Sequence, residues 1–262
     1  MSYSPTICEL KAEFRNNAFK NKKETPENAI KMAYADMSRR QDGHTPAIKE
    51  VCVQWLVNEV FTESLQITDF NTWHKETCEA LIAKMNSVTP GFGTVGKAQK
   101  VINMAFKYLS CISNQYDSIL KQCHMTLDGY TLDWYKSCVK DWANSVGLPV
   151  IEGDIKWSKI DRYEDYKVMQ DNIRKYLEQF PEYSINIGGK TATAAEPLQV
   201  SPFDSEFIIW EGNIIKEKYN SIVKALNNYT KGSRGHQAGR LKDAWLIGTI
   251  FDDFLREYCK KV

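Results

Sequence analysis

Thr89-Pro-Gly-Phe-Gly-Thr-Val-Gly-Lys-Ala-Gln-Lys-Val-Ile-Asn-Met-Ala-Phe-Lys-Tyr-Leu109 is the stretch on which the reading of this chain turns. Its opening combines a proline with Gly91 and Gly93, residues that interrupt a helix and allow positive φ or close backbone approach. From Ala98 onward, Ala98, Val101, Ile102, Ala105, Tyr108, Leu109 and Ile112 recur at helical spacing and make one continuous apolar face. Lys97, Lys100 and Lys107 fall together on a different face. A lysine stripe beside an apolar stripe ordinarily marks a solvated helix surface. The pattern predicts a sharp turn over residues 88–93 and a long helix from there to about Ser113.

Outward from that helix, helical periodicity continues in both directions. Pro26 after Thr25 occupies a favoured first helical position, and the segment runs to about Arg40. Gly43 and Pro46 mark the next boundary, followed by helices over about 47–61 and 70–86. Past Asp128, Leu132, Trp134, Tyr135, Val139 and Trp142 belong to a helix stopped by Gly147 and Pro149. Residues 159–180 and 203–229 are again helical in period. Residues 181–201, with Gly188-Gly189, are the least helical part and read as a short hairpin or a loop. Lys231-Gly-Ser-Arg-Gly-His236 reads as a basic linker before a last helix ending near Lys260. The expected fold class is all-α, one domain over 1–262 made of two interleaved lobes with a cleft near 90–130.

Composition narrows the function classes. Thirty-four Lys and Arg stand against 33 Asp and Glu. There is thus no global basic field, and a nucleic-acid surface would have to be a local patch. Seven widely spaced cysteines without a CxxC pair point to reduced thiols, with no metal or cluster signature. No secretory signal opens the chain and no run approaches a membrane span. The expectations are therefore a cytoplasmic monomer, with no metal, no cofactor and no membrane partner.

The segment from Thr89 to Ala98 has the form of a helix-hairpin-helix turn. In such a turn, free amides opening the second helix cradle a DNA phosphate, helped by the helix dipole. Ala98 comes five residues after Gly93, where the usual spacing has four. Gly96-Lys-Ala-Gln-Lys100-Val-Ile-Asn103-Met-Ala-Phe-Lys107-Tyr-Leu109, followed by Cys123-His-Met-Thr-Leu-Asp128, resembles the helix-hairpin-helix DNA glycosylase superfamily. It is similar there to archaeal 8-oxoguanine DNA glycosylases and to bacterial phage-defence DNA glycosylases, over residues 89–134.

The resemblance implies a two-lobed helical fold and excision of a damaged or hypermodified base from double-stranded DNA. Lys100 and Asp128 take the positions of the catalytic pair, with Lys97 as the other candidate lysine. Breaking an N-glycosidic bond builds positive charge on the sugar, which a carboxylate such as Asp128 stabilises. A neutral Lys100 amine can attack the anomeric carbon and form a Schiff base; otherwise water attacks and leaves an abasic site. Asp128 also reads as a helix N-cap. Gly91, Gly93, Lys97, Gln99, Asn103, His124 and Trp210 are candidates for holding the substrate and its DNA. Gln99 and Asn103 read equally well as exposed helix residues, and His124 as a loop histidine. Trp55 and Trp73 join Trp210 as candidates for stacking on a flipped base. Lys231, Arg234, His236, Arg240 and Lys242 form a basic cluster that suits either phosphates or solvent.

Overall fold

The computed structural model describes residues 7–39, 41–180, 184–187, 190–193 and 201–232. Ten α-helices appear among them: α1 (Ile7–Phe19), α2 (Pro26–Ser38), α3 (Pro46–Trp55), α4 (Phe70–Val88), α5 (Val95–Leu109), α6 (Asp117–Leu120), α7 (Gly129–Trp134), α8 (Lys140–Ser145), α9 (Tyr163–Gln179) and α10 (Pro202–Gly232). Wider π turns follow α3 and α7, and a 3-10 turn spans Trp157–Lys159. Residues 184–187 and 190–193 are the strands of the short hairpin that the sequence left open. Its strands β1 (Ser184–Ile187) and β2 (Lys190–Thr193) pair antiparallel with Ile187 opposite Lys190. The all-helical expectation holds apart from that hairpin.

Local chemistry sets the boundaries. Thr25, Thr45, Asp69 and Thr94 each accept a backbone N–H from the first turn of the helix they open. Pro26 and Pro46 occupy first-turn positions, where a missing N–H costs nothing. Gly43 and Gly147, at φ +79° and +75°, supply the left-handed turns at two breaks.

Helix α5 is the axis of the fold. It packs against α2, α4, α9 and the 3-10 turn, and all its residues are buried. The solvated lysine face expected from the pattern is absent, because Lys97, Lys100 and Lys107 are covered as fully as the apolar stripe. A helix apolar on one side and buried on all sides must satisfy its polar residues internally. How it does so builds the site. One continuous core runs from Leu10 to Ile209, and Trp55 and Trp73 pack against it. No helix among the described residues is long and apolar enough to cross a membrane. The final helix expected near Lys260 lies outside the described residues.

Candidate active site

The turn between α4 and α5 uses its glycines for packing. Gly91 takes φ +77°. A Cβ on Gly93 would lie 2.9 Å from the Ile82 carbonyl oxygen, so this glycine lets the turn close on α4. The amides that would cradle a phosphate are occupied: Gly93 N–H donates to Asn86 Oδ1, Gly96 N–H to the Ile160 carbonyl and Lys97 N–H to Thr94 Oγ1. The 3-10 turn lies directly over them. A Cβ on Gly96 would fall 1.6 Å from the Trp157 carbonyl oxygen, and Thr94 Oγ1 donates to the Ser158 carbonyl at 3.0 Å. This end of α5 thus anchors the chain's own 157–160 segment.

The three lysines separate. Lys97 Nζ donates to the Phe92 carbonyl at 2.8 Å and sits 3.9 Å from the Phe92 ring centroid, tying the turn shut. Burial pushes its pKa down, reinforced by Lys159 and opposed by Asp161 and Asp42. Lys100 is 9% exposed, with its Nζ 4.5 Å from the centre of the Trp157 ring. Among the described residues no ion pair or hydrogen bond holds its ammonium. Lys107 Nζ donates to Glu206 Oε1 at 2.9 Å, both side chains being 1% exposed, and lies within 5.1 Å of the Phe14, Phe207 and Trp210 ring centres.

Asp128 arrives on a buried extended segment whose backbone is held by side chains. Gln99 accepts from Leu127 N–H and donates to its carbonyl, at 3.2 and 2.8 Å. Gln170 does the same for Met125, at 3.1 and 2.8 Å. Thr126 N–H donates to Glu206 Oε2 at 2.8 Å. Asp128 then caps α7: its Oδ1 accepts from Thr131 N–H at 3.1 Å, while its own N–H donates to Thr131 Oγ1 at 2.9 Å. That hydroxyl also donates to the Thr126 carbonyl. The N-cap expectation for Asp128 is met.

Gln99, Asn103 and His124 are buried with their polar atoms engaged inside the protein. Asn103 Oδ1 accepts from His74 Nε2, and its amide donates to Gln99 Oε1 and to the Tyr166 hydroxyl. His124 lies between the Tyr166 hydroxyl on Nδ1 and Asn71 Oδ1 on Nε2, and Tyr163 closes the network on His74 Nδ1. These three side chains thus tie α4, α5, α9 and the 124–127 segment to one another.

Both histidines are kept neutral. Burial pulls the His74 pKa from 6.5 to about 3, against the Asn103 bond. His124 is drawn well down by burial first, and then by its neighbours His74, which would repel a second imidazolium, Arg174 and Lys167. Unfolding frees both rings to titrate normally, so the unfolded chain binds more protons below about pH 6.5. Their contribution to stability is full above that pH and is lost as pH falls toward the folded values. For His74 alone the loss at pH 4.5 is on the order of 2–3 kcal/mol. Urea titrations at pH 7 and pH 4.5 should give a clearly lower midpoint at the acid pH. Equal midpoints would contradict the neutral network.

A cleft of about 510 Å³ brings Lys100, Asp128 and Trp210 together. Trp157, Gly129 and Tyr130 continue its lining, with Asp36, Arg39, Gln41 and Glu217 around them. Arg39 pairs with Asp36 at 3.0 Å. Tyr130 meets Trp210 edge-on at 5.9 Å. Its hydroxyl is pushed up to about 12 by burial, then by its bond to Glu217 and the charges of Glu217 and Asp128. Trp210 Nε1 is buried without a hydrogen-bond partner among the described residues. Lys97 is not among the residues lining this cleft. Trp157 and Tyr130 had no signal in the sequence beyond being aromatic. The basic cluster from Lys231 onward lies outside the residues whose side chains are described.

Compared with protein-family models, with curated proteins and with solved structures, the chain matches none.

Proposed function

We propose that this chain is a DNA glycosylase of the helix-hairpin-helix type, two-lobed, which flips a base out of double-stranded DNA and excises it. The favoured substrate is a hypermodified pyrimidine of phage DNA, removed as antiviral defence. Excision of 8-oxoguanine in base-excision repair is the other substrate class. The observation that carries the proposal is the cleft itself: a carboxylate, a nine-tenths-buried amine without a polar partner among the described residues, and aromatic faces from separate parts of the chain line one cavity. Its volume lies within the range of small-molecule sites. Trp157, Trp210 and Tyr130 are suited to a flipped base, and the duplex backbone is held by groups other than the occupied amides of α5.

In this reading Asp128 faces the sugar and stabilises positive charge as the base departs. The glycosidic electron pair leaves with the base, which takes up a proton. Lys100, once deprotonated, forms the new bond to the anomeric carbon, and the sugar ring opens to a Schiff base. Where water replaces Lys100, the product is an abasic site.

Duplexes carrying modified pyrimidines or 8-oxoguanine test this reading. A covalent adduct trapped by borohydride, and lost in Lys100→Gln, is the expected result for lysine attack. Alkali-labile sites without an adduct assign the attack to water. Intact duplexes throughout, with binding that falls steeply as salt rises, would reject the enzyme and leave a non-catalytic helical nucleic-acid-binding protein.

A further inference from the structure

The Lys107–Glu206 ion pair lies deep in the core, at the meeting of α5 and α10, and plays no part in the chemistry above. Each partner reaches toward a different wall of the cleft. Glu206 accepts from Lys107 through Oε1 and from the Thr126 N–H through Oε2. Thr126 is tied by its carbonyl to Thr131 Oγ1, and Thr131 holds both the N–H and the carboxylate of Asp128. On the other side, Lys107 Nζ sits 4.2 Å from the Trp210 ring centre, and Trp210 lines the same cleft as Asp128.

From these contacts we infer that the Lys107–Glu206 pair is a positioning device, setting Asp128 through Thr126 and Thr131, and Trp210 through its ring face. A buried ion pair is a poor source of stability, because desolvation offsets most of its attraction. Its value here is geometric. Thr126 N–H has no backbone acceptor in a segment that forms no sheet, and a carboxylate fixed by an ammonium is a strong, immobile acceptor. The significance of the device for catalysis rests on the glycosylase reading, whereas its existence does not.

The test uses two variants of the full chain, Glu206→Gln and the paired Lys107→Met/Glu206→Leu. The paired variant leaves no unpartnered charge in the core, so it should fold, with a melting temperature lowered only by the acceptor lost to the Thr126 N–H. Amide hydrogen exchange followed by NMR then reads the relay. Thr126 and Thr131 N–H groups are expected to exchange at least about tenfold faster, a factor worth about 1.4 kcal/mol of opening free energy. Amides in the middle of α5 should keep their rates. In the base-release assay, kcat should fall roughly 10- to 100-fold with a smaller change in KM, the pattern of misplaced catalytic geometry. Unchanged exchange at Thr131 in a folded variant would overturn the inference, as would faster exchange with an unchanged kcat. If the parent chain releases no base from any duplex, the glycosylase reading fails on its own, and exchange at Thr131 still decides whether the pair holds Asp128.

Discussion

Gly96→Ala is expected to destabilise the fold by roughly 3 kcal/mol or more, a drop in melting temperature on the order of 10 °C. The added methyl would stand 1.6 Å from the Trp157 carbonyl oxygen and 2.8 Å from its carbon, both backbone atoms that no rotamer change can move aside. Relief requires the 157–160 segment to lift from α5. That breaks the Gly96 N–H bond to the Ile160 carbonyl and the Thr94 hydroxyl bond to Ser158. Trp157 then leaves Lys100, so one change removes an aromatic wall of the cleft and uncovers a buried lysine. Gly129→Ala is the control. Nothing lies within 4 Å of its Cβ position and its φ is not positive, so the melting temperature should stay within about 2 °C. Thermal unfolding of the two variants side by side reads the contrast, and equal melting temperatures would refute the close approach.

Asp128→Asn is expected to lower the rate of base release by roughly 10²- to 10³-fold, the scale for removing one group that stabilises transition-state charge. The amide keeps the shape, and its oxygen can still accept from the Thr131 N–H, so the cap of α7 survives. What disappears is the negative charge that the proposed mechanism sets against the sugar. Stability should change by no more than about 1 kcal/mol, because an asparagine N-cap is nearly as good as an aspartate one. Single-turnover kinetics on a modified duplex, beside a urea titration, separates the two effects. A rate within about threefold of the parent would remove Asp128 from the chemistry.

Much of the helical framework was legible in the sequence because its signals are local. Thr25-Pro26 marks the start of α2, Thr89 to Gly93 marks the break before α5, and helical periodicity outlines α4, α5 and α9. The stretch between Gly93 and Ala98 also had a physical counterpart: it docks the 157–160 segment through the Gly96 N–H and the Thr94 hydroxyl. Other features were hidden because they depend on distant residues. A lysine reads as a surface residue until its partner is known, and the partners of Lys100 and Lys107 are Trp157 and Glu206, far along the chain. Gln99 and Asn103 beside Lys100 carry the residue types of a base-reading face, yet they clamp Leu127 and bind Tyr166. Asp128, Lys100 and Trp210 do meet in one cleft.

Mass-spectrometric detection of free base released from duplex DNA tests the role of that cleft most directly. The chain is incubated with phage-type DNA carrying hypermodified pyrimidines, with an 8-oxoguanine duplex and with unmodified DNA. Release of the modified base, lost in Asp128→Asn and absent from unmodified DNA, is the expected result. No free base from any of the three substrates, with the chain folded, would contradict it.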